Sequence, residues 1–126
     1  YLGNLRTQSV HTQSGSIIIS DAPIDNNGKG EAFSPTDTVA NALASCMFTV
    51  MGIKARDLEV DFSGSTAQVT KIMGTEPRRI IEIKVHFTMK GTFDEKTKTI
   101  LERTAKSCPV LLSLHQDLKK EIIFDW

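Results

Sequence analysis

Hydrophobic and polar positions in the N-terminal part of the chain predict a pair of strands followed by a loop. Residues 2–10 and 16–20, the latter with three consecutive isoleucines, flank a polar turn at residues 13–15. β-Branched runs separated by such a turn are typical of a β-hairpin. Residues 21–31 are instead rich in Asp, Asn and Gly, which predicts a flexible loop before the next element.

A helix start is encoded directly after this loop. Ser34 can cap free amides, Pro35 suits the first helical position, and Asp37 favours the helix dipole. Apolar residues then recur at helical spacing and predict a helix from Pro35 to about Arg56. The predicted buried stripe contains Val39, Leu43, Cys46, Met47, Val50 and Met51.

The middle of the chain shows the two-residue alternation of a sheet. It predicts strands at residues 58–62, 66–73 and 79–90, with a turn at residues 74–77 between the last two. The third segment has the clearest pattern, with apolar positions facing one side. His86 falls on the other side, which we expect to face solvent.

A second helix and a last strand complete the predicted fold. Asp94 can cap a helix whose apolar positions continue to Cys108, where Pro109 ends the run. Residues 110–114 add a further turn, and residues 121–126 are strand-like. We therefore predict one α+β domain over residues 1–126, with antiparallel sheets packed around two main helices.

Composition and charge narrow the classes of partner. Fifteen basic and fifteen acidic residues cancel, so a nucleic-acid partner is not expected. The longest apolar stretch, residues 42–53, is interrupted by polar residues and Gly and falls short of the about 20 residues needed to span a bilayer. Residues 1–10 show no secretion-signal pattern. We expect a soluble, cytoplasmic protein without a membrane partner.

Cys46 and Cys108 are the first candidates for chemistry because both lie on the predicted core face of a helix and could meet. An attacking thiolate and a second thiol that condenses onto its sulfenic acid would form a two-cysteine redox site. The alternative is that both are small buried hydrophobes. A reactive Cys46 would need a nearby cation, because the middle of a helix offers no free amides.

Cofactor sites are not predicted. His11, His86 and His115 are scattered at spacings that do not recur in zinc sites. The Gly-Lys-Gly at residues 28–30 is too short, and lacks the helix-start context, for a nucleotide loop. We expect neither a metal nor a nucleotide cofactor.

Three motifs resemble the OsmC/Ohr superfamily of osmotically inducible and organic-hydroperoxide-resistance proteins. They are Phe-Ser-Pro-Thr-Asp at residues 33–37, Ala-Ser-Cys-Met at 44–47 and Ser-Cys-Pro-Val at 107–110, and the likeness extends over nearly the whole chain. The resemblance implies an intertwined homodimer that reduces organic hydroperoxides to alcohols. In it, Cys46 matches the peroxide-attacking cysteine and Cys108 the resolving one, and an external dithiol reduces their disulfide.

The resemblance also implies an arginine beside the thiolate and a carboxylate that orients it. Arg6 is the one arginine before Cys46 and is assigned to that role, although it could equally be an exposed residue that binds nothing. The family's peroxidases have Glu ten residues before the reactive cysteine, where this chain has Thr36. Asp37, one position later, is the candidate carboxylate; alternatively it only stabilises the helix start.

Two other functions remain open at this point. One is a non-catalytic dimer that binds a small apolar ligand, and the other is a redox sensor that forms the Cys46–Cys108 disulfide slowly. If a substrate pocket exists, Met47, Phe48 and Met51 are expected to line it, although such residues are more often plain core.

Overall fold

A computed structural model describes residues 1–126, which fall into two compact units, residues 1–39 and 40–126. The elements in chain order are β1 (Arg6–Val10), β2 (Ile17–Asp21), α1 (Pro35–Asp57), β3 (Thr66–Thr75), β4 (Arg78–Thr88), α2 (Glu95–Ala105), α3 (Pro109–Ser113) and β5 (Lys119–Asp125). The α+β class is confirmed, while the single domain stays a prediction.

The hairpin of the first unit is confirmed. Strands β1 and β2 pair antiparallel, with Arg6 opposite Asp21 at one end and Val10 opposite Ile17 at the other. The His11 carbonyl accepts the Gly15 N–H at 2.8 Å and closes the turn. The first strand is shorter than the nine residues that its pattern indicated, because pairing starts only at Arg6.

The segment after β2 is held by backbone hydrogen bonds, although its composition predicted a flexible loop. The Pro23 carbonyl accepts the N–H groups of Asn26 and Gly28, and the Ala22 carbonyl accepts that of Gly30. A Cβ at Gly28 would lie 1.7 Å from the Ala22 oxygen. Only glycine fits there, so the Gly and Asn residues build one specific turn.

Helix α1 begins where the sequence predicted. The Ser34 hydroxyl accepts the Asp37 N–H at 3.0 Å, and the Asp37 carboxylate accepts the Ser34 N–H at 2.9 Å. This reciprocal pair satisfies two amide groups that the first turn cannot bond internally. The helix ends at Asp57, one residue beyond the predicted end.

The second unit contains a three-stranded sheet in the order β3-β4-β5. Strands β3 and β4 pair antiparallel, as predicted, but β5 lies parallel to β4. The expected all-antiparallel pairing fails at β5 because α2 and α3 carry the chain back to the end of the sheet where β4 starts. The sheet is therefore mixed.

The predicted strand at residues 58–62 is wrong. The N–H groups of Leu58 and Val60 both donate to the Ala55 carbonyl, and Glu59 has a left-handed φ of 54°. These bonds terminate α1 and leave no strand pairing. The alternating apolar residues that suggested a strand pack against the core from an irregular segment instead.

The core of the second unit lies between α1, α2 and the sheet. Strand β4 buries alternate side chains, as its pattern predicted. The fully buried large apolar residues are Leu43, Met47, Met51, Ile83, Phe87 and Leu101. Phe87 stacks on Phe124 and meets Phe48 edge-on, at centroid distances of 4.9 and 4.8 Å. Val39, expected on the buried stripe, is 41% exposed.

Helix α1 is long and apolar enough, by length and composition, to cross a membrane. This is weak evidence, because the core helix of a soluble protein has the same properties. Here Leu43, Met47 and Met51 have no exposed surface and pack in the core with the sheet. Cytoplasmic location stays a prediction.

Candidate functional site

The two cysteines occupy different local structures. Cys46 lies in the middle of α1 and is partly exposed, whereas Cys108 has no exposed surface. The predicted second helix ends at Ala105, earlier than expected, and Cys108 is the N-cap of α3. Pro109 therefore starts a helix, because proline suits the first helical position.

The structure brings the two thiols together, as the helix patterns allowed. The Cys46 side chain lies near enough to Cys108 to raise the pKa of its thiol, and both cysteines are free thiols. Residues that are 62 positions apart (108 − 46) thus form one pair.

Burial makes Cys108 a poor acid. Loss of hydration is the largest effect and raises the pKa of the Cys108 thiol, and the neighbouring Cys46 raises it further. The Leu111 N–H, which donates to the Cys108 sulfur at 3.3 Å, acts in the opposite direction but does not offset the burial. Cys108 therefore stays protonated at neutral pH, while Cys46 is the thiol that solutes can reach.

Arg6 is held by two carboxylates rather than lying free on the strand. Its Nε and Nη2 donate to the two oxygens of Asp21 at 2.8 Å each, and Nη2 also donates to Glu31 at 2.8 Å. Asp21 is 2% exposed and accepts the Glu31 N–H as well. The Asp21 hydrogen bond and charge, followed by those of Glu31, raise the pKa of Arg6.

The carboxylates on Arg6 are not the one suggested by the sequence. Asp37 uses an oxygen to accept the Ser34 N–H at the start of α1, whereas Asp21 and Glu31 contact the guanidinium. Sequence reasoning missed both residues. In the structure Asp21 ends β2 directly opposite Arg6, where opposite charges attract, but the sequence pattern had placed it in the loop after the predicted strand.

The remaining candidates are His86 and the two methionines of α1. His86 Nε2 contacts Asp125 on the solvent side of the sheet, as its strand position predicted, and is 45% exposed. No group of three or more His, Cys, Asp or Glu residues is arranged to hold a metal ion. Met47 and Met51 have no exposed surface, so they cannot line an open pocket.

Comparison with known proteins identifies the family. Residues 28–122 match the family described as OsmC-like protein. A solved structure from Psychrobacter arcticus 273-4, a "putative osmotic stress induced and detoxification response protein", is 52% identical and has a TM-score of 0.96, covering 99% of this chain and 91% of the other. The chain therefore belongs to the OsmC-like family. Comparison with curated proteins gives no match.

More distant solved structures share the fold. An organic hydroperoxide resistance protein OsmC from Legionella pneumophila is 13% identical, with a TM-score of 0.66 over 96% of this chain and 95% of the other. An organic hydroperoxide resistance protein from Elizabethkingia anophelis, with thiocyanate bound, is 12% identical, with a TM-score of 0.71 over 95% and 93%. At these identities the likeness establishes the fold alone.

Proposed function

We propose that the protein is a thiol peroxidase that reduces organic hydroperoxides through Cys46 and Cys108. The observation that carries this proposal is the proximity of two free thiols, of which one is partly exposed and the other buried. Solved relatives named organic hydroperoxide resistance proteins support a peroxide-related role. Exposure selects Cys46 as the attacking residue, since a peroxide must reach the sulfur.

The proposed cycle balances atoms and electrons. The Cys46 thiolate attacks the hydroperoxide, the O–O bond breaks, and the alcohol leaves after taking up a proton, so that Cys46 becomes a sulfenic acid. The Cys108 thiol then attacks the Cys46 sulfur, which forms the disulfide and releases water. An external dithiol returns two electrons by thiol–disulfide exchange. No cofactor takes part.

Arg6 is the proposed cation for the Cys46 thiolate, as the family resemblance implies. We propose that Asp21 and Glu31 orient Arg6, since both accept its hydrogen bonds, and that Asp37, which accepts the Ser34 N–H, stabilises the start of α1. A bidentate contact fixes a guanidinium plane more firmly than a single hydrogen bond does. Replacing Arg6 with Gln should then slow peroxide reduction, and Arg103→Gln, at an exposed position of α2, is the matched control.

The proposed active form is a homodimer in the cytoplasm. Several large apolar side chains in residues 1–39 are exposed, which is unusual for a surface that stays in water. They are Leu2, Leu5, Val10, Ile17, Ile18, Ile24 and Phe33. A second copy of the chain is the proposed cover, and light scattering should give twice the chain mass of 13.9 kDa. A monomer at micromolar concentration would contradict this.

Turnover of an organic hydroperoxide tests the enzyme directly. Wild-type protein with dithiothreitol should consume cumene hydroperoxide catalytically, and Cys46→Ser should not. Cys108→Ser should be oxidised once, to the sulfenic acid, but should form no intramolecular disulfide. Equal consumption by the wild type and Cys46→Ser would remove the peroxidase proposal and favour a ligand-binding module.

A slow redox sensor is the second candidate, and one observation favours it. Thr36 occupies the position of the family's Glu, and Asp37 bonds the helix start, so the arrangement that speeds the family's peroxidases is altered. The rate constant of Cys46 oxidation separates the two functions. A peroxidase should react with cumene hydroperoxide far faster than free cysteine does, whereas a sensor should form the same disulfide at a rate near that of a simple thiol.

A further inference from the structure

The sulfur of Cys108 accepts a backbone hydrogen bond in a place where proteins usually put an oxygen. Cys108 is the N-cap of α3, and its sulfur accepts the Leu111 N–H at 3.3 Å. Ser, Thr, Asp and Asn are preferred at N-caps, because their side-chain oxygens accept the amide hydrogens that the first turn leaves unbonded. A neutral thiol is only a weak acceptor. While Cys108 is a thiol, the bond therefore contributes little to the start of α3.

The same hydrogen bond becomes stronger when the sulfur carries a negative charge. A hydrogen bond to an ionised acceptor is about twice as strong as one between neutral groups, and burial adds to the difference because no water competes for the sulfur. Cys108 has no exposed surface. The Leu111 N–H lowers the pKa of the Cys108 thiol, although burial has the larger and opposite effect. The Leu111 amide is thus placed to stabilise a Cys108 thiolate.

A Cys108 thiolate arises when the proposed disulfide with Cys46 is reduced from the Cys46 side. A thiolate reduces a disulfide by attacking one sulfur, which forms a mixed disulfide, and by expelling the other sulfur as a thiolate. Cys46 is partly exposed and Cys108 is buried, so an external thiol reaches the bond at Cys46. Attack there expels Cys108, whose sulfur already faces the Leu111 N–H.

Leaving-group strength alone favours the opposite direction of attack. A thiol of lower pKa leaves faster, and burial raises the pKa of Cys108. Access outweighs this effect, because a thiol that attacks Cys108 must wait for the structure to open around a side chain with no exposed surface. Attack on Cys46 needs no such opening. It does need a group that stabilises the departing buried sulfur, and the Leu111 amide is in that position.

We propose that the Leu111 amide is a catalytic group of the reductive step, in which the reductant attacks Cys46 and the Leu111 N–H stabilises the departing Cys108 sulfur. The Cys46–Cys108 bond breaks, and a bond forms between Cys46 and the first sulfur of an external dithiol. The second sulfur of the dithiol then attacks the first, releases Cys46 and leaves as a cyclic disulfide. The two protons of the dithiol end on the two cysteines. This inference rests on the proposed function, because it requires the Cys46–Cys108 disulfide.

The direction of attack can be measured without any peroxide. The full-length wild type is oxidised with diamide, and the disulfide is verified by the loss of two hydrogens from the intact mass. It is then mixed with 2-mercaptoethanol, quenched in acid and digested, and the mixed disulfides are located by mass spectrometry. The adduct on Cys46 should exceed that on Cys108 at least about tenfold, because Cys108 is accessible only when the structure opens.

The role of the amide can be measured by replacing it with an ester, which removes the N–H and keeps the side chain. An ester at Leu111 should slow reduction of the disulfide by dithiothreitol roughly three- to tenfold. In the reduced protein it should raise the pKa of the Cys108 thiol, measured from the pH dependence of alkylation. An ester at Leu112 is the matched control, since the Leu112 N–H donates to the Cys108 carbonyl at 3.2 Å and not to the sulfur. The control should change neither the rate nor the pKa.

Each result that contradicts these expectations has a distinct meaning. Adducts mainly on Cys108 would overturn the direction of attack, and equal slowing by the two esters would reduce the Leu111 bond to a structural one. If diamide forms no Cys46–Cys108 disulfide, this inference and the peroxidase cycle fail together. If the disulfide forms and is reduced as described, but the protein does not consume cumene hydroperoxide, only the peroxidase proposal fails.

Discussion

Cys46 and Cys108 form an unequal pair: Cys46 lies near enough to raise the pKa of the Cys108 thiol, yet only Cys46 has access to solvent. This difference in exposure follows from where each cysteine lies in the fold. Cys46 lies at the edge of the buried stripe of α1, while Cys108 is the buried N-cap of α3 and its sulfur accepts the Leu111 N–H. This difference in exposure is what the proposed roles of attacking and resolving thiol require.

Alkylation rates should reveal that the two thiols differ in accessibility. In the folded, reduced protein at pH 8, iodoacetamide should modify Cys46 at least about tenfold faster than Cys108, because a buried side chain reacts only when the structure opens. Mass spectrometry of the two cysteine-containing peptides measures the ratio. In urea the two rates should become similar. A faster reaction of Cys108 in the folded protein would contradict the assignment of roles.

Cys108 should also make the protein less stable at high pH. Burial raises the pKa of the Cys108 thiol in the folded state, so above the pKa of the unfolded thiol the unfolded chain releases a proton that the folded chain retains. The stabilisation is complete below the unfolded pKa and is lost as the pH rises through the folded pKa, at no more than about 1.4 kcal/mol per pH unit for one group.

The matched comparison for this pH effect is Cys108→Ala, followed by urea unfolding between pH 7 and 10. Other groups that titrate in this range contribute to both proteins and cancel in the difference. The wild type should lose more stability with rising pH than the variant does. Parallel pH profiles would show that the Cys108 thiol titrates normally in the folded state.

The reciprocal hydrogen bonds between Ser34 and Asp37 define a third expectation. Ser34→Ala and Asp37→Ala should each lower the free energy of unfolding by about 1 kcal/mol, the usual cost of losing a helix cap. If Asp37 acts at the helix start, the rate of peroxide reduction per folded Asp37→Ala molecule should equal that of the wild type. A rate loss beyond the unfolded fraction would restore the catalytic role suggested by the family resemblance.

The elements with local signals could be predicted from the sequence. The two-residue alternation of β4, the Ser34–Pro35 start of α1 and the Asp94 cap of α2 all appear in the structure. Each depends on residues a few positions apart. The direction of β5 could not be obtained in this way, because it depends on where α2 and α3 return the chain.

The candidate site likewise contains one residue that the sequence could place and others that only the fold brings together. Cys46 could be placed on the buried stripe of α1 from spacing, and its contact with Cys108 was one geometry that the helices allowed. The partners of Arg6 are 15 and 25 residues away along the chain. Asp21 and Glu31 resemble ordinary polar residues of a turn segment in sequence, and only the folded hairpin and the bonded turn after it bring them onto one guanidinium.

The Arg6 contacts lead to a last prediction, in which Asp21 matters more than Glu31. Asp21 is 2% exposed and accepts two hydrogen bonds from Arg6 and one from the Glu31 N–H, whereas the Glu31 side chain is 58% exposed. Asp21→Asn should therefore lower the urea midpoint clearly more than Glu31→Gln, since the amide cannot accept both guanidinium bonds.

The same pair should make stability depend on pH in acid. The Arg6 hydrogen bond lowers the pKa of Asp21 in the folded state, so the stabilisation from the pair is present above the pKa of the unfolded carboxyl and is lost as the pH falls through the folded-state pKa. Unfolding at pH 7, 4 and 3 should show a steeper acid loss for the wild type than for Asp21→Asn, and equal slopes would mean that the pair contributes nothing to stability.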